Sequence, residues 1–387
     1  MDYGRFFSAD VPSFLRSPVR EIFKKVDLSA ICSFAGGYPD AATFPLAQMP
    51  DLTEKVIRKY GAKALQYGAT QGVPELRTLL AARAGVDLDR VQVTTSSQQG
   101  IDVCARVFLD PGDRVYVLDP TYLGALQSFR AYRSEVVALR QDAGGFRLPG
   151  NQDPDRKGKL LYVIPDFANP SGVTLSLAER QALVDLARRE DLLIVEDSPY
   201  RELRYEGTPL PTLYSLAPER TLHLGSFSKI FAPGFRLGWM IADPVLLDQV
   251  YACKQALDLC PPVFDQYLAA EFLGSGALDR NLERSISLYR RKRDRMLSLL
   301  QQYMPDGVRW THPEGGLFLF VTLPGQVDTV ALYDEALAKG VAYVAGSFFY
   351  SDGSHRNTMR LNFSFVDEAK MEPGVRLLSD LVRNILK

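Results

Sequence analysis

Between about residues 91 and 240, short runs of β-branched and aromatic residues alternate with stretches whose apolar positions recur at helical spacing. "VQVTT" precedes a helical pattern over 97–109 and "DRVYVLD" precedes another over 122–133. "KLLYVIPD", "LLIVED" and "TLHLGSFS" follow, with helical stretches between them. This alternation predicts a mostly parallel sheet covered by helices on both faces. Ser176 and Glu179 stand at the spacing of a capping box and predict the start of a helix over 177–189.

After Pro261 and Pro262 the pattern changes to one long helix over about 277–302. The runs "VRWTHPEGGLFLFVTLP", "GVAYVAG" and "TMRLNFSF" then read as short strands, with a last helix at the C-terminus. They predict a second, smaller α+β domain. The long helix carries "LYRRKRDRML", but Asp294 interrupts the basic run and the apolar residues keep helical spacing, so it reads as a solvated helix face. The expected division is an N-terminal arm with part of the small domain over 1–45, a large domain over 46–275 and a small domain over 276–387.

With 387 residues, 46% of them hydrophobic and 24% charged, the chain can build one large core and a smaller one. A formal net charge of -1 offers no electrostatic footprint for nucleic acid or an anionic membrane, which favours small-molecule chemistry. Cys32, Cys104, Cys253 and Cys260 form no CxxC pair and read as free thiols. The three histidines lack metal-site spacing, so neither a metal nor a histidine-centred triad is expected. The N-terminus has no apolar leader and no long uncharged apolar run occurs, which predicts a cytoplasmic protein.

In a sheet of this kind ligands gather beyond the carboxyl ends of the strands. "TTSSQQG" lies between a strand and a helix, where the backbone N–H groups of Ser97, Gln98 and Gln99 would face an anion with the helix dipole behind them. Taken alone this is a helix cap, just as Asn169 in "PDFANPSG" is by itself a turn residue. "LLIVEDSPY" ends an apolar strand in Glu196 and Asp197, with Tyr200 close behind, and a buried acid needs a cation or donors. "HLGSFSK" ends another at Ser226, Ser228 and Lys229, and Arg236 follows. An anion cradle, an amide, a carboxylate and a lysine with an arginine at four strand ends fit one cofactor. Pyridoxal 5'-phosphate asks for donors to its phosphate and ring oxygen, a carboxylate for its ring nitrogen and a lysine for its aldehyde.

The chain resembles the fold-type I pyridoxal-phosphate aminotransferases of class I/II, and within them the 2-aminoadipate aminotransferases and the aminotransferase domains of MocR regulators. The likeness runs from "SFAGGYPDAATFP" through "LQYGATQGVPELR", "SSQQGIDV", "DPTYLGAL", "NPSGVTLS", "EDSPY", "SFSKIFAPGFRLGW" and "PEGGLFLF" to "MRLNFSF". It implies a large α/β domain around a mostly parallel seven-stranded sheet, a smaller α+β C-terminal domain, and a homodimer with shared active sites. It implies that Lys229 forms the Schiff base, that Asp197 pairs with the ring nitrogen, that Asn169 and Tyr200 hold the ring oxygen and that Tyr122 stacks on the ring. Ser97, Gln98, Gln99, Ser226, Ser228 and Arg236 are implied around the phosphate, and Tyr67 at the phosphate of the neighbouring subunit. Arg360 is implied to bind the substrate α-carboxylate, with Gly37 and Asn169 beside the substrate.

Ser96 and Gly100 depart from the resemblance, which expects glycine and alanine there. "SPVREIFKKV" resembles a helix over the substrate pocket, and Arg20 matches an arginine that contacts a side-chain carboxylate, which favours an acidic or 2-oxoglutarate-type substrate. Tyr38 of "GGYP" would suit an aromatic or extended side chain equally well. The expected reaction is transamination between an L-amino acid and a 2-oxo acid. The alternatives are another pyridoxal-phosphate reaction on the same scaffold, such as a β-lyase, a cyclase or an oxidase, and the effector domain of a MocR-type regulator. The regulator would need a DNA-binding segment, for which an arm starting at residue 1 leaves no expected room.

Overall fold

In the computed structural model, which describes residues 1, 3–14, 16, 31–142, 145–149, 158–325 and 327–386, the apolar runs of the middle of the chain form one seven-stranded sheet. Its strands are β1 (Val91–Thr94), β2 (Arg114–Val117), β3 (Glu135–Ala138), β4 (Gly158–Val163), β5 (Leu193–Asp197), β6 (Thr221–Ser226) and β7 (Gly238–Ile241). Their order is β1-β7-β6-β5-β4-β2-β3, all parallel except β7, which runs against both neighbours. The sequence reading names neither β3 nor β7. β3 is a partly exposed edge strand whose apolar run, Val136 to Leu139, is short, and β7 lies inside a glycine-rich motif that masks its four residues.

The helices include α1 (Met49–Tyr60), α2 (Pro74–Ala84), α3 (Ser96–Phe108), α4 (Leu123–Ala131), α5 (Leu177–Arg189), α6 (Pro244–Asp258), α7 (Val263–Gly274), α8 (Ala277–Tyr303) and α9 (Glu368–Ile385). α5 starts where the capping box predicts, with Ser176 and Glu179 bonding each other's backbone N–H. Both faces of the sheet are covered, as continuous apolar runs require. Leu160 and Tyr162 of β4 belong to one buried cluster with Ile101 and Cys104 of α3, while the alternate residues Leu161 and Val163 belong to a second with Leu183 and Val184 of α5.

A four-stranded antiparallel sheet follows, with β8 (Arg309–Trp310), β9 (Phe318–Thr322), β10 (Val344–Ala345) and β11 (Thr358–Asn362) in the order β8-β9-β11-β10. The segment after residue 31 is tied to this region. Cys32 and Ser33 pair with Val341 and Ala342, and the Asn362 N–H donates to the Phe34 carbonyl at 2.7 Å.

The basic run on α8 is only partly a solvated face. Arg290, Arg291 and Arg295 are exposed, but Lys292 and Arg293 are buried. Lys292 pairs with Asp40 and donates to the carbonyls of Ser364 and Val366 at 2.8 Å, and Arg293 pairs with Glu206 and donates to the Pro313 carbonyl. Charge composition conceals this because burial of an ion depends on partners far away in the chain. Replacing Lys292 with Met leaves Asp40 and two carbonyls without their donor, and we expect a loss of about 3 kcal/mol of stability. A urea midpoint that stays at the wild-type value would show that this ammonium holds nothing together.

Candidate active site

The carboxyl ends of β1, β4, β5 and β6 open into a cavity of about 870 Å³ that also receives Arg360 from β11. Strand alternation sends the two acids at the end of β5 in opposite directions. Glu196 accepts from the N–H groups of Leu213 at 3.0 Å and Tyr214 at 2.9 Å and meets His223 Nδ1 at 3.0 Å. Burial works to raise its pKa, but His223 and these donors more than offset that and hold it below the usual carboxylate range. Asp197 faces the cavity, only 2% exposed, with the Tyr162 hydroxyl donating to its Oδ2 at 2.8 Å. Its Oδ1 is buried and has no hydrogen-bond partner among the described residues. Loss of water pushes its pKa up from 3.8 to about 6, which Tyr162, His223 and the nearby Ser97 hydroxyl offset only in part.

At the end of β6, the turn after Ser226 presents Lys229, whose Nζ donates to the Gly37 carbonyl at 2.8 Å. Its pKa falls from 10.5 to about 8, first because of burial and then because of the positive charges of Arg360 and Arg236. Arg236 has a left-handed backbone, φ 51°, and its Nη2 donates to Ser96 Oγ at 2.7 Å. The first turn of α3 leaves the N–H groups of Ser96, Ser97 and Gln98 without intrahelical acceptors. Ser226 Oγ accepts from the Ser228 N–H at 3.1 Å beside them.

Asn169, beyond β4, is buried with its Oδ1 accepting from Arg360 Nη1 at 2.8 Å and its Nδ2 3.4 Å from the Tyr200 hydroxyl. Burial raises the pKa of that hydroxyl. Arg360 also donates to the Ala35 carbonyl at 2.6 Å and sits over the rings of Phe318 and Phe349 at 4.4 and 5.0 Å. Its Nε is buried without a partner among the described residues, and burial pushes its pKa down to about 10.

Of the residues singled out from sequence, the cavity brings together Gly37, Tyr38, Ser97, Gln98, Tyr122, Asn169, Asp197, Tyr200, Ser226, Ser228, Lys229, Arg236 and Arg360. Gln99 is turned away: its Oε1 accepts from the Thr95 N–H at 2.8 Å and its Nε2 donates to Asp258 at 2.6 Å. A side chain at the fourth helical position can fold back onto the cap, so the Gln99 side chain closes the helix start instead of facing the cavity. Tyr67 is 78% exposed and outside the cavity, and Arg20 lies outside the described residues. Tyr162, Phe349 and the bond from Arg236 to Ser96 are absent from the sequence reading. Tyr162 shares a strand face with Leu160 beside β5, a pattern that could have marked it; Phe349 carries no local signal.

The Aminotransferase class I and II family model matches residues 35–378. Aromatic-amino-acid aminotransferase 1 of Thermococcus litoralis is 41% identical over 401 residues, covering 100% of this chain and 96% of the relative. A crystal structure of Pyrococcus horikoshii kynurenine aminotransferase, in complex with PMP, superposes with a TM-score of 0.94 at 42% identity, covering 100% of this chain and 99% of that one. The α-aminoadipate aminotransferase of Thermus thermophilus, complexed with N-(5'-phosphopyridoxyl)-L-leucine, superposes with a TM-score of 0.91 at 34% identity, covering 100% and 99%. The chain belongs to the class I and II aminotransferases, pyridoxal-phosphate-dependent enzymes of fold type I.

Proposed function

We propose that this cavity is where the chain, a pyridoxal-phosphate-dependent aminotransferase, holds its cofactor and moves an amino group from an L-amino acid to a 2-oxo acid. The observation that carries the assignment is the buried Asp197 Oδ1, which lacks a partner among the described residues, in one cavity with an amine whose pKa is lowered to about 8. A protonated ring nitrogen fits the first and an aldehyde the second. The first turn of α3 with Ser97, Gln98, Ser226, Ser228 and Arg236 would hold the phosphate, Asn169 and Tyr200 the ring oxygen, and Tyr122 a ring face.

When bound, the cofactor supplies an aldehyde carbon that bonds the substrate nitrogen and a ring that takes up the electrons of the Cα–H bond. Asp197 keeps the proton on the ring nitrogen. Arg360, whose Nε–H has no partner among the described residues, binds the α-carboxylate and so fixes which Cα bond faces the ring. Lys229, largely neutral above pH 8, would take the proton from Cα at its Nζ and deliver it to the carbon that the aldehyde supplied.

The described lining has no cation beyond Lys229, Arg236 and Arg360, whereas Phe14, Tyr38, Leu123 and Phe349 bound it. An aromatic donor fits these walls; 2-oxoglutarate as the acceptor would need a cation for its γ-carboxylate in the same site, and Arg20 is the candidate that the sequence offers. An acidic donor is the second reading. It rests on Arg20 and on the likeness to the α-aminoadipate enzyme of Thermus thermophilus. The exposed Tyr67 supports a homodimer in which this ring completes the partner's site. No helix among the described residues is long and apolar enough to cross a membrane, and we place the enzyme in the cytoplasm. The arm over 1–45, the large domain over 46–275 and the small domain over 276–387 remain our division of the chain.

Two variants test these roles. Lys229→Ala is expected to lower amino transfer at least ~10³-fold, read by conversion of the yellow enzyme to its pyridoxamine form with a panel of amino acids. Turnover near the wild-type rate excludes the assignment, and faster conversion by acidic than by aromatic amino acids selects the second reading of the substrate. Asp197→Asn is expected to stabilise the cofactor-free protein at pH 7. A carboxyl whose folded pKa is raised from 3.8 to about 6 carries no penalty below about pH 4 and its full penalty, about 3 kcal/mol, above pH 6. The melting midpoint of the variant should exceed that of the wild type at pH 7 and converge with it at pH 4; a difference independent of pH would show that Asp197 is not the strained group.

A further inference from the structure

We propose that Ser96 is a phosphate-positioning residue: its hydroxyl orients the Arg236 guanidinium and donates its own proton to an oxygen of the bound phosphate monoester. The inference rests on the reading that Arg236 and the first turn of α3 face that phosphate.

Ser96 has a left-handed backbone, φ 67°, where a side chain other than that of glycine is strained. The resemblance expects glycine at this position, so the sequence keeps a hydroxyl where the backbone would be easier without one. Ser96 is only 3% exposed and lines the cavity. Its Oγ accepts from Arg236 Nη2 at 2.7 Å, and no acceptor for its proton is found among the described residues. A hydroxyl carries one donor and two acceptor sites, so this one has a proton to give inside a cavity built for an anion. Arg236 is left-handed too, at φ 51°, so two strained residues meet through one hydrogen bond. Strain of this kind persists where the surroundings over-determine it and gathers at ligand clamps.

The surroundings that fix Ser96 are visible. Thr94 Oγ1 donates to the Ser96 carbonyl at 2.9 Å. A Cβ on Gly238 would lie 2.7 Å from Ser96 C and 2.8 Å from its Cα, so only glycine at the start of β7 lets this backbone lie against the sheet. The arrangement passes a chain of donors from guanidinium to hydroxyl to phosphate oxygen, which suits a doubly charged monoester and offers nothing to a ligand without a phosphate.

The test compares cofactor-free wild type, Ser96→Ala, Ser96→Gly and Arg236→Gln for equilibrium binding of pyridoxal 5'-phosphate and of pyridoxal, read by absorbance, together with the melting midpoints of the cofactor-free proteins. Both serine variants are expected to raise the Kd for pyridoxal 5'-phosphate about tenfold and to leave that for pyridoxal within about twofold. Because glycine relieves the backbone and alanine does not, Ser96→Gly should melt above Ser96→Ala while binding the phosphate ester no better. A role confined to folding would make affinity follow the melting midpoint and would weaken both ligands alike, which overturns the proposal. Wild-type affinity in both serine variants, with weakened binding in Arg236→Gln, overturns it and leaves the phosphate site standing. Wild-type affinity in Arg236→Gln defeats the site reading and this inference with it.

Discussion

A carboxylate, an amine and a guanidinium share one cavity here without pairing with one another, and each has its pKa moved toward the neutral form by burial. Asp197 is raised to about 6, Lys229 lowered to about 8 and Arg360 to about 10. In a structural ion-pair network the opposite would hold, as it does next door at Glu196, where His223 and two backbone donors depress the pKa. One strand thus ends in two acids, one satisfied and one left waiting. The fold sustains the second because the carboxyl ends of parallel strands put polar groups at a rim that no helix covers.

The opposite wall of the cavity comes from distant parts of the chain. The carbonyls of Ala35 and Gly37 meet Arg360 and Lys229, and Asn169 beyond β4 meets Arg360 from β11. The segment carrying those carbonyls is fixed by its pairing with Val341 and Ala342 and by the buried ammonium of Lys292 on Asp40. The guanidinium of Arg360 and the amine of Lys229 are therefore both tied to one short segment, which supplies an acceptor to each. The two phenylalanine rings around Arg360 keep its guanidinium in place while leaving Nε free of partners among the described residues.

Much of this is legible in the sequence, for a specific reason. Apolar runs locate strands, the residue after each run is a strand end, and polar residues there are either caps or ligands. Asp197, Asn169, Lys229 and the start of α3 emerge in this way, and the capping box at Ser176 locates α5. What escapes the sequence depends on side-chain direction or on long-range pairing. Gln99 has the right position and the wrong orientation, because its amide folds back on Thr95. Lys292 and Arg293 read as solvent-facing until Asp40 and Glu206 arrive from far along the chain. β7 is hidden because its glycine, which serves the close approach of Ser96, sits in a glycine-rich motif that does not read as a strand.

The central claim is that one amine, that of Lys229, is the covalent anchor of the cofactor. Borohydride reduction of the yellow holoenzyme, followed by proteolysis and mass spectrometry of the peptides, reads this directly. The account predicts the reduced phosphopyridoxyl mass on the peptide containing Gly225–Trp239, localised to Lys229. Label on a different lysine, or full release of the cofactor on denaturation after reduction, would contradict it.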